Sequence, residues 1–492
     1  MKIFLQNLKY EYEIHMLINS FKKLDCNFFD AALYEPNLQD DYIYIFEEST
    51  DNKLDLFQKN IVCISKIGEN SYNLNEACLD DKKEIRNCYK RLLYSLLSQE
   101  FNKKQPWGIL TGIRPVKIIN ELRKNENHLD MNTIKNTIKS KYLISDEKVD
   151  LMEEVSDIQK TVINKLSDDS YSIYIGIPFC PSRCNYCSFF SNDIRLKGHL
   201  RDSYLDALEK EISGTVADEW FEGKRLDSLY VGGGTPTALE DHQIERLLKF
   251  LDQTFKLDSI NEITFEAGRP DTITDSKLQI LKKYGINRIS INPQTMVDRT
   301  LVSIGRNHDS KSIEDVYYLA RKHGFENINM DIILGLSNED IKDVEYTLKK
   351  LVELNPDSIT MHTLSIKRAS KLHEEPDLEE IIRQEKNIMD MVSLVYKYMG
   401  DINMKPYYLY RQKNILGGFE NVGFAKENKE SWYNIVIMEE LQNILAFGSG
   451  SVSRFVYPSE NRIERVSNIK NLESYIDKIE DMINKKRVEM KL

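Results

Sequence analysis

Three cysteines carry the clearest chemical signal in this chain. Cys180, Cys184 and Cys187 end the run Tyr174-Ile175-Gly176-Ile177-Pro178-Phe179-Cys180-Pro181-Ser182-Arg183-Cys184-Asn185-Tyr186-Cys187. This CxxxCxxC spacing lets one loop wrap one metal centre, and three thiolates can hold three irons of a four-iron cubane while the fourth stays open. An open iron can be chelated by the amino and carboxylate groups of a methionine-like ligand, which sets a sulfonium beside a reductant. Two plainer readings compete. Structural zinc normally takes four Cys or His ligands, and the next histidine, His199, has no paired ligand nearby in the sequence. A redox dithiol would use Cys184-Asn185-Tyr186-Cys187 alone and needs neither the third cysteine nor the strand before it. The other cysteines, Cys26, Cys63, Cys78 and Cys88, lack ligand spacing and read as reduced, partly buried thiols.

A loop of this kind needs a rigid scaffold. The apolar, β-rich run Ile173 to Ile177 leads into the cysteines, and further β-like runs near 228–232, 261–266, 287–292, 327–334 and 358–364 alternate with segments of helical periodicity such as 197–213 and 338–353. Repeated βα units predict a parallel sheet or barrel with its site at the strand C-termini. Six strands are too few for a closed eight-stranded barrel, so the expected fold class is α/β with a partial (β/α)6 barrel over residues 166–375. Residues 1–165 are expected to form a separate α+β and helical domain of unassigned role. In it, Tyr42 to Phe46 and Ile61 to Ile64 read as strands and Ile85 to Leu97 as an amphipathic helix, while Pro115 could open a helix through Ile118. The Asp- and Ser-containing stretch 167–170 marks the boundary. Residues 376–492, helical at first and then irregular from Tyr407 to Arg454, are expected as a C-terminal domain that covers the substrate.

Bulk properties narrow the function classes. The chain has 492 residues, 41% hydrophobic and 29% charged, and no apolar run approaches the roughly 18 residues of a membrane span. Its N-terminus lacks the continuous apolar core of a signal peptide, so a cytoplasmic address is expected. A net charge of -11 and no basic stripe argue against nucleic acid as a partner.

The cysteine spacing, with an aromatic residue before the last cysteine, matches the signature of the radical S-adenosylmethionine (SAM) superfamily. Within it the chain resembles the oxygen-independent coproporphyrinogen III oxidase (dehydrogenase) family, in the long branch with an extra N-terminal domain. The similarity covers roughly residues 171 to 454. Tyr230-Val231-Gly232-Gly233-Gly234-Thr235-Pro236-Thr237 resembles the family's GGGTP element, Glu262-Ile263-Thr264-Phe265-Glu266 its third-strand motif and Ser290-Ile291-Asn292-Pro293-Gln294 its fourth; Asp331 to Leu336 and His362 to Ser365 resemble the fifth and sixth. The long branch is further suggested by Glu266 to Asp271, Tyr407 to Asn414 and Pro106 to Lys117.

The resemblance implies a [4Fe-4S] cluster on Cys180, Cys184 and Cys187. It implies SAM held by Tyr174, Tyr186, Gly233, Gly234, Thr235, Glu266, Gln294, Arg306, Asp331 and Ser365, with Tyr174 also catalytic. Arg306 would fork onto the SAM carboxylate, and Glu266 would accept from its amino group or its ribose. The implied reaction is hydrogen abstraction from propionates of coproporphyrinogen III and loss of carbon dioxide, leaving the vinyl groups of protoporphyrinogen IX. A tetrapyrrole substrate and a low-potential electron donor such as flavodoxin or ferredoxin are the implied partners. Arg269, Lys367, Arg368 and Arg411 are candidate propionate anchors. The sequence departs from the best-understood members: Phe189 stands where they carry a fourth cysteine, and Gly176 replaces a histidine of the first strand. CxxxCxxCxF also occurs in the related haem chaperone branch. Two alternatives therefore stay open on the same scaffold, a haem-binding chaperone without decarboxylase activity and a haem-opening methyltransferase.

Overall fold

A computed structural model describes residues 1–22, 24–35, 40–48, 58–112, 114–126, 128–187, 191–364, 378–411, 419–460 and 462–491. The chain divides into two compact units, Met1–Glu153 and Glu154–Leu492.

In the first unit, strands β1 (Lys2–Leu5), β2 (Asn27–Asp30), β3 (Tyr42–Glu48), β4 (Gln58–Ile67) and β5 (Asn70–Leu79) form one sheet in the order β2-β1-β3-β4-β5. Alternate positions are the most deeply buried, while Phe4, Tyr42 and Val62 next to them are 3 to 8% exposed. Ile3, Leu5, Ile43, Ile45, Ile61 and Cys63 are fully buried, as one face of a half-covered sheet requires. The helix expected from the apolar stripe at Ile85 to Leu97 runs over Lys82–Glu100, started by Asp81, whose side chain accepts from the backbone N–H groups of Lys83 and Glu84. Pro115 caps the helix Val116–Asn125.

The second unit is built on an eleven-stranded sheet. Strands β6 (Ser170–Ile177), β9 (Arg225–Gly233), β10 (Glu262–Gly268), β11 (Arg288–Ile291), β12 (Ile328–Leu334) and β13 (Ser358–Thr363) are the six expected from the sequence, and they pair in parallel, in that order. Phe179–Cys180 (β7) and Asn192–Asp193 (β8) make a small separate pair around the cysteine loop. Residues beyond 376 are not a separate body. Strands β14 (Lys405–Tyr410) and β15 (Asn421–Ala425) add antiparallel beyond β13. At the other edge β16 (Asn443–Phe447) joins β6 in parallel and β17 (Val452–Tyr457) and β18 (Arg462–Ser467) follow antiparallel. The sheet order β14-β15-β13-β12-β11-β10-β9-β6-β16-β17-β18 leaves the barrel open.

The six expected strands alternate polar with apolar residues, which is unusual for parallel strands covered on both faces. Register explains it. Ser172 pairs with Ser228, Tyr174 with Tyr230, Thr264 with Arg288, Glu266 with Ser290, Asn329 with Ser358 and Asp331 with Thr360. Residues in register share a face, so these polar side chains line one concave lumen. The apolar positions between them, including Ile173, Ile175, Leu229, Val231, Ile263, Phe265, Ile289 and Met330, are 0 to 1% exposed. They form the core with apolar faces of the connecting helices, such as Leu205, Leu208 and Ile212 on Arg201–Val216 and Leu247, Leu248 and Leu251 on Asp241–Phe255. Among the described residues no helix is long and apolar enough to cross a membrane.

Candidate active site

The cysteine loop leaves the sheet at the C-terminal end of β6 and is tied down on both sides. The N–H of Asn185 donates to the carbonyl of Ile304 (3.1 Å), and its side-chain amide donates to that of Ser303 (2.8 Å). Both the backbone and side-chain amides of Asn192 donate to the Pro178 carbonyl. Cys184 is buried, Cys180 and Cys187 are half-buried, and all seven cysteines are free thiols. Among the described residues no three His, Cys, Asp or Glu side chains converge as a single-ion site. A cubane needs no such convergence, since each thiolate binds a different iron.

The glycine element of β9 abuts the loop. Gly234 donates to the Ile177 carbonyl (2.8 Å) and Thr235 to that of Phe179 (2.7 Å), which stitches the two loops together. A Cβ on Gly234 would stand 2.6 Å from the Phe179 oxygen and 3.0 Å from Cys180 Sγ, and Gly233 has φ +111°, so side chains are excluded at both. The Thr235 hydroxyl lies 3.5 Å from Cys180 Sγ, positioned to donate to it.

Glu266, at the upper end of β10, accepts from the Tyr230 phenol. Burial pushes its carboxyl up to about 7, with the nearby Asp331 adding to the shift and the Tyr230 hydrogen bond opposing it. Near neutral pH it is poised between forms, and a cation beside it would draw it fully into the carboxylate. Asp331, on β12, accepts from the Asn329 amide (2.7 Å) and lies 3.8 Å from His362, whose other ring nitrogen is 3.2 Å from the Tyr410 hydroxyl. Gln294 is buried in the left-handed region (φ +67°), with its N–H on the Asp331 carbonyl and its carbonyl receiving the Ile333 N–H, both at 2.9 Å. Arg306 is buried; it donates to the Tyr186 hydroxyl (2.8 Å) and to the Asn292 carbonyl (3.4 Å). Among the described residues no carboxylate pairs with it, and its Nε has no partner. A buried cation held only by neutral acceptors is costly unless an anion joins it.

Tyr174 stands lower, stacked with Tyr230 (6.0 Å, 16°) and Tyr433 (6.1 Å, 24°), its phenol raised well above the ordinary range by burial. Ser365, Lys367 and Arg368 lie outside the described residues. Arg269, expected as a propionate anchor, is instead a buried cation, 4% exposed and forked onto Asp271 beside the cysteine loop. Arg411, directly after β14, is half-buried.

Of the expected cofactor residues, Tyr186, Gly233, Gly234, Thr235, Glu266, Gln294, Arg306 and Asp331 lie at the C-terminal end of the strands or in the loops beyond them, while Tyr174 stands lower. Besides Arg306 Nε, the buried hydroxyls of Thr264 and Ser290 and the Asn292 amide oxygen lack partners. Together with the three thiols, these atoms suit a cluster and a zwitterionic nucleoside ligand. Sequence reasoning had no view of Tyr230, Tyr433 or His362 as site neighbours, although the alternation that turns Tyr230 and His362 inward is visible in the strands.

The radical SAM superfamily model matches residues 174–351. An oxygen-independent coproporphyrinogen-III oxidase-like protein, HemZ, of Bacillus subtilis (strain 168) is 39% identical over 409 residues, 82% of this chain and 81% of the relative. The heme chaperone HemW of the same organism is 31% identical over 290 residues, 57% of this chain and 70% of the relative. The solved coproporphyrinogen III oxidase (HemN) of Escherichia coli, a radical SAM enzyme, superposes with a TM-score of 0.50 at 24% identity, covering 67% of this chain and 73% of that one. That likeness bears on the fold, which both share. This chain belongs to the oxygen-independent coproporphyrinogen III oxidase-like family of the radical SAM superfamily, whose cofactors are a [4Fe-4S] cluster and SAM.

Proposed function

We propose that the protein is an oxygen-independent coproporphyrinogen III dehydrogenase, which converts two propionates of coproporphyrinogen III to vinyl groups and yields protoporphyrinogen IX. The observation that carries this reading is the 39% identity, over 82% of the chain, to a coproporphyrinogen-III oxidase-like protein. When bound, the cluster and SAM supply an electron and a 5′-deoxyadenosyl radical that removes a substrate hydrogen. The protein's part is to hold and orient. Cys180, Cys184 and Cys187 bind three irons. Arg306 meets the SAM carboxylate, the anion its burial calls for. Glu266 accepts from the SAM amino group or ribose, and Asp331 and Gln294 supply further polar contacts. Gly233, Gly234 and Thr235 let the backbone approach, with Tyr186 beside Arg306. Tyr174, whose ring stacks on Tyr230 and Tyr433, contacts SAM and is the catalytic residue. A low-potential donor such as flavodoxin or ferredoxin supplies electrons, and an external acceptor closes each cycle.

A haem chaperone on the same scaffold is the second reading, favoured by Phe189 after the third cysteine and by the 31% identity to a heme chaperone. One experiment separates them: reconstituted protein is incubated anaerobically with coproporphyrinogen III, SAM and a strong reductant, and in parallel titrated with haem. Decarboxylated porphyrins support the dehydrogenase. Tight haem binding with no decarboxylation supports the chaperone and defeats the first reading.

A further inference from the structure

Arg269 follows the last residue of β10 and precedes Pro270, so its backbone is held in a tight corner, with its N–H on the Ala267 carbonyl at 2.7 Å. Its guanidinium points at the cysteine loop. Nη1 donates to Ser182 Oγ (2.8 Å) and to the Ser182 carbonyl (3.3 Å), and lies 3.9 Å from Cys184 Sγ. Nε and Nη2 fork onto the two Asp271 oxygens at 2.9 and 2.8 Å. Behind Asp271 sits His308, its side chain 2% exposed and its Nδ1 3.7 Å from Asp271 Oδ1. The cation is therefore fixed in place from the rear, and the two N–H groups of Nη1 are shared between the Ser182 oxygens and the thiol. The other buried guanidinium of this region, Arg306, directs its N–H groups to Tyr186 and Asn292.

We propose that Arg269 is a positioning residue that holds a cationic N–H against the Cys184 sulfur and raises the reduction potential of the cluster bound there. The inference rests on the cluster reading above. Three thiolates give the cluster a net negative charge, and one-electron reduction by a low-potential donor adds another. A cation fixed beside a ligand sulfur in a buried setting stabilises the more negative form, and N–H···S contacts act in the same direction. Asp271 is the counter-charge on the far side of the guanidinium and partly cancels its field. Removing the two charges must then move the potential in opposite directions, which a purely structural role for the pair would not do.

The test uses the full chain, reconstituted anaerobically, with iron and sulfide counted per chain and the reduced cluster followed by EPR during a dithionite titration. Arg269→Gln is expected to keep the wild-type iron count and to lower the midpoint at least tenfold in the reduction equilibrium, about 59 mV for a one-electron couple. Arg269→Lys should recover most of that shift, and Asp271→Asn should move the midpoint upward. An unshifted midpoint in Arg269→Gln with full iron overturns the proposal. If Arg269→Gln cannot retain iron, Asp271→Asn decides: an upward shift supports the proposal and any other result overturns it. A wild-type chain that takes up no iron would sink the cluster reading itself, and this inference with it; a loaded wild type with an unshifted Arg269→Gln sinks the inference alone.

Discussion

Glu262 and Glu266 stand on one face of one strand, yet they belong to different parts of the molecule. Glu262, at the lower end of the lumen, is fully engaged: it accepts from Ser431 Oγ (2.9 Å), the Trp432 N–H (2.9 Å) and the Tyr433 N–H (3.2 Å), the start of the helix Trp432–Glu439. Its surroundings are mostly paired, although Arg288 Nε and Thr264 Oγ1 have no partner among the described residues. Ser172 bonds Ser228 at 2.7 Å, and Arg288 reaches Ser358, which in turn donates to Asn329 at 2.9 Å. Glu266, at the upper end, has the Tyr230 phenol and is driven up to about 7 by burial. Partnerless Ser290, Asn292 and Arg306 atoms lie along the same end. A polar lumen can therefore serve two purposes. Where most groups are paired it specifies the fold, and where more of them are left unpaired it is prepared for a ligand.

Substitutions that exchange these roles sharpen the contrast. Glu262→Ala leaves the donors at the start of its helix without their acceptor, and chemical denaturation should register a loss of about 2–4 kcal/mol. If stability is unchanged, the lower network is not structural. Gly234→Ala forces a Cβ against Phe179 O and Cys180 Sγ; a smaller cost of about 1–3 kcal/mol is expected, with most of the effect in iron uptake after reconstitution. Full iron loading in that variant would contradict the close packing of the two loops.

Glu266→Gln should do the opposite of Glu262→Ala. A carboxyl raised from 4.5 to about 7 on folding disfavours the folded state once ionised. The destabilisation is absent below the unfolded value, grows between pH 4.5 and 7, and is complete above 7. The neutral Gln variant should then be more stable than wild type at pH 8, by at most about 3 kcal/mol, and equal to it at pH 4. Its SAM affinity should nonetheless fall about tenfold, which isothermal titration can measure. A variant less stable at pH 8 would show that Glu266 is structural, like Glu262. The smallest effect is in the wild type: SAM binding should weaken as pH falls through 7 and the carboxylate is neutralised, and a flat profile from pH 6 to 8 would remove Glu266 from the amino-group role.

The parts of this arrangement that were legible in the sequence share a short range. The strand alternation from Ile173 to Leu364 and the CxxxCxxC and GGGTP elements are local patterns, and the structure returns six parallel strands with those loops at their C-termini. Strands β14 to β18 were not legible. Glycine, asparagine and aromatic residues from Tyr407 to Arg454 read as irregular, because the partners that make them strands are distant: Asn443 to Phe447 pair with Tyr171 to Ile175. Arg269 was misjudged for a related reason. A basic residue beside a strand end looks like a ligand anchor until the positions of Asp271 and Ser182 are known.

The proposed role of the upper end of the lumen is to hold a cluster and cleave SAM. The direct measurement is 5′-deoxyadenosine formed from SAM by anaerobically reconstituted wild-type protein and by Cys184→Ala, each with dithionite and with iron content determined. Wild type should contain iron and release 5′-deoxyadenosine, and Cys184→Ala should lose both together; SAM cleavage retained in Cys184→Ala would contradict the assignment.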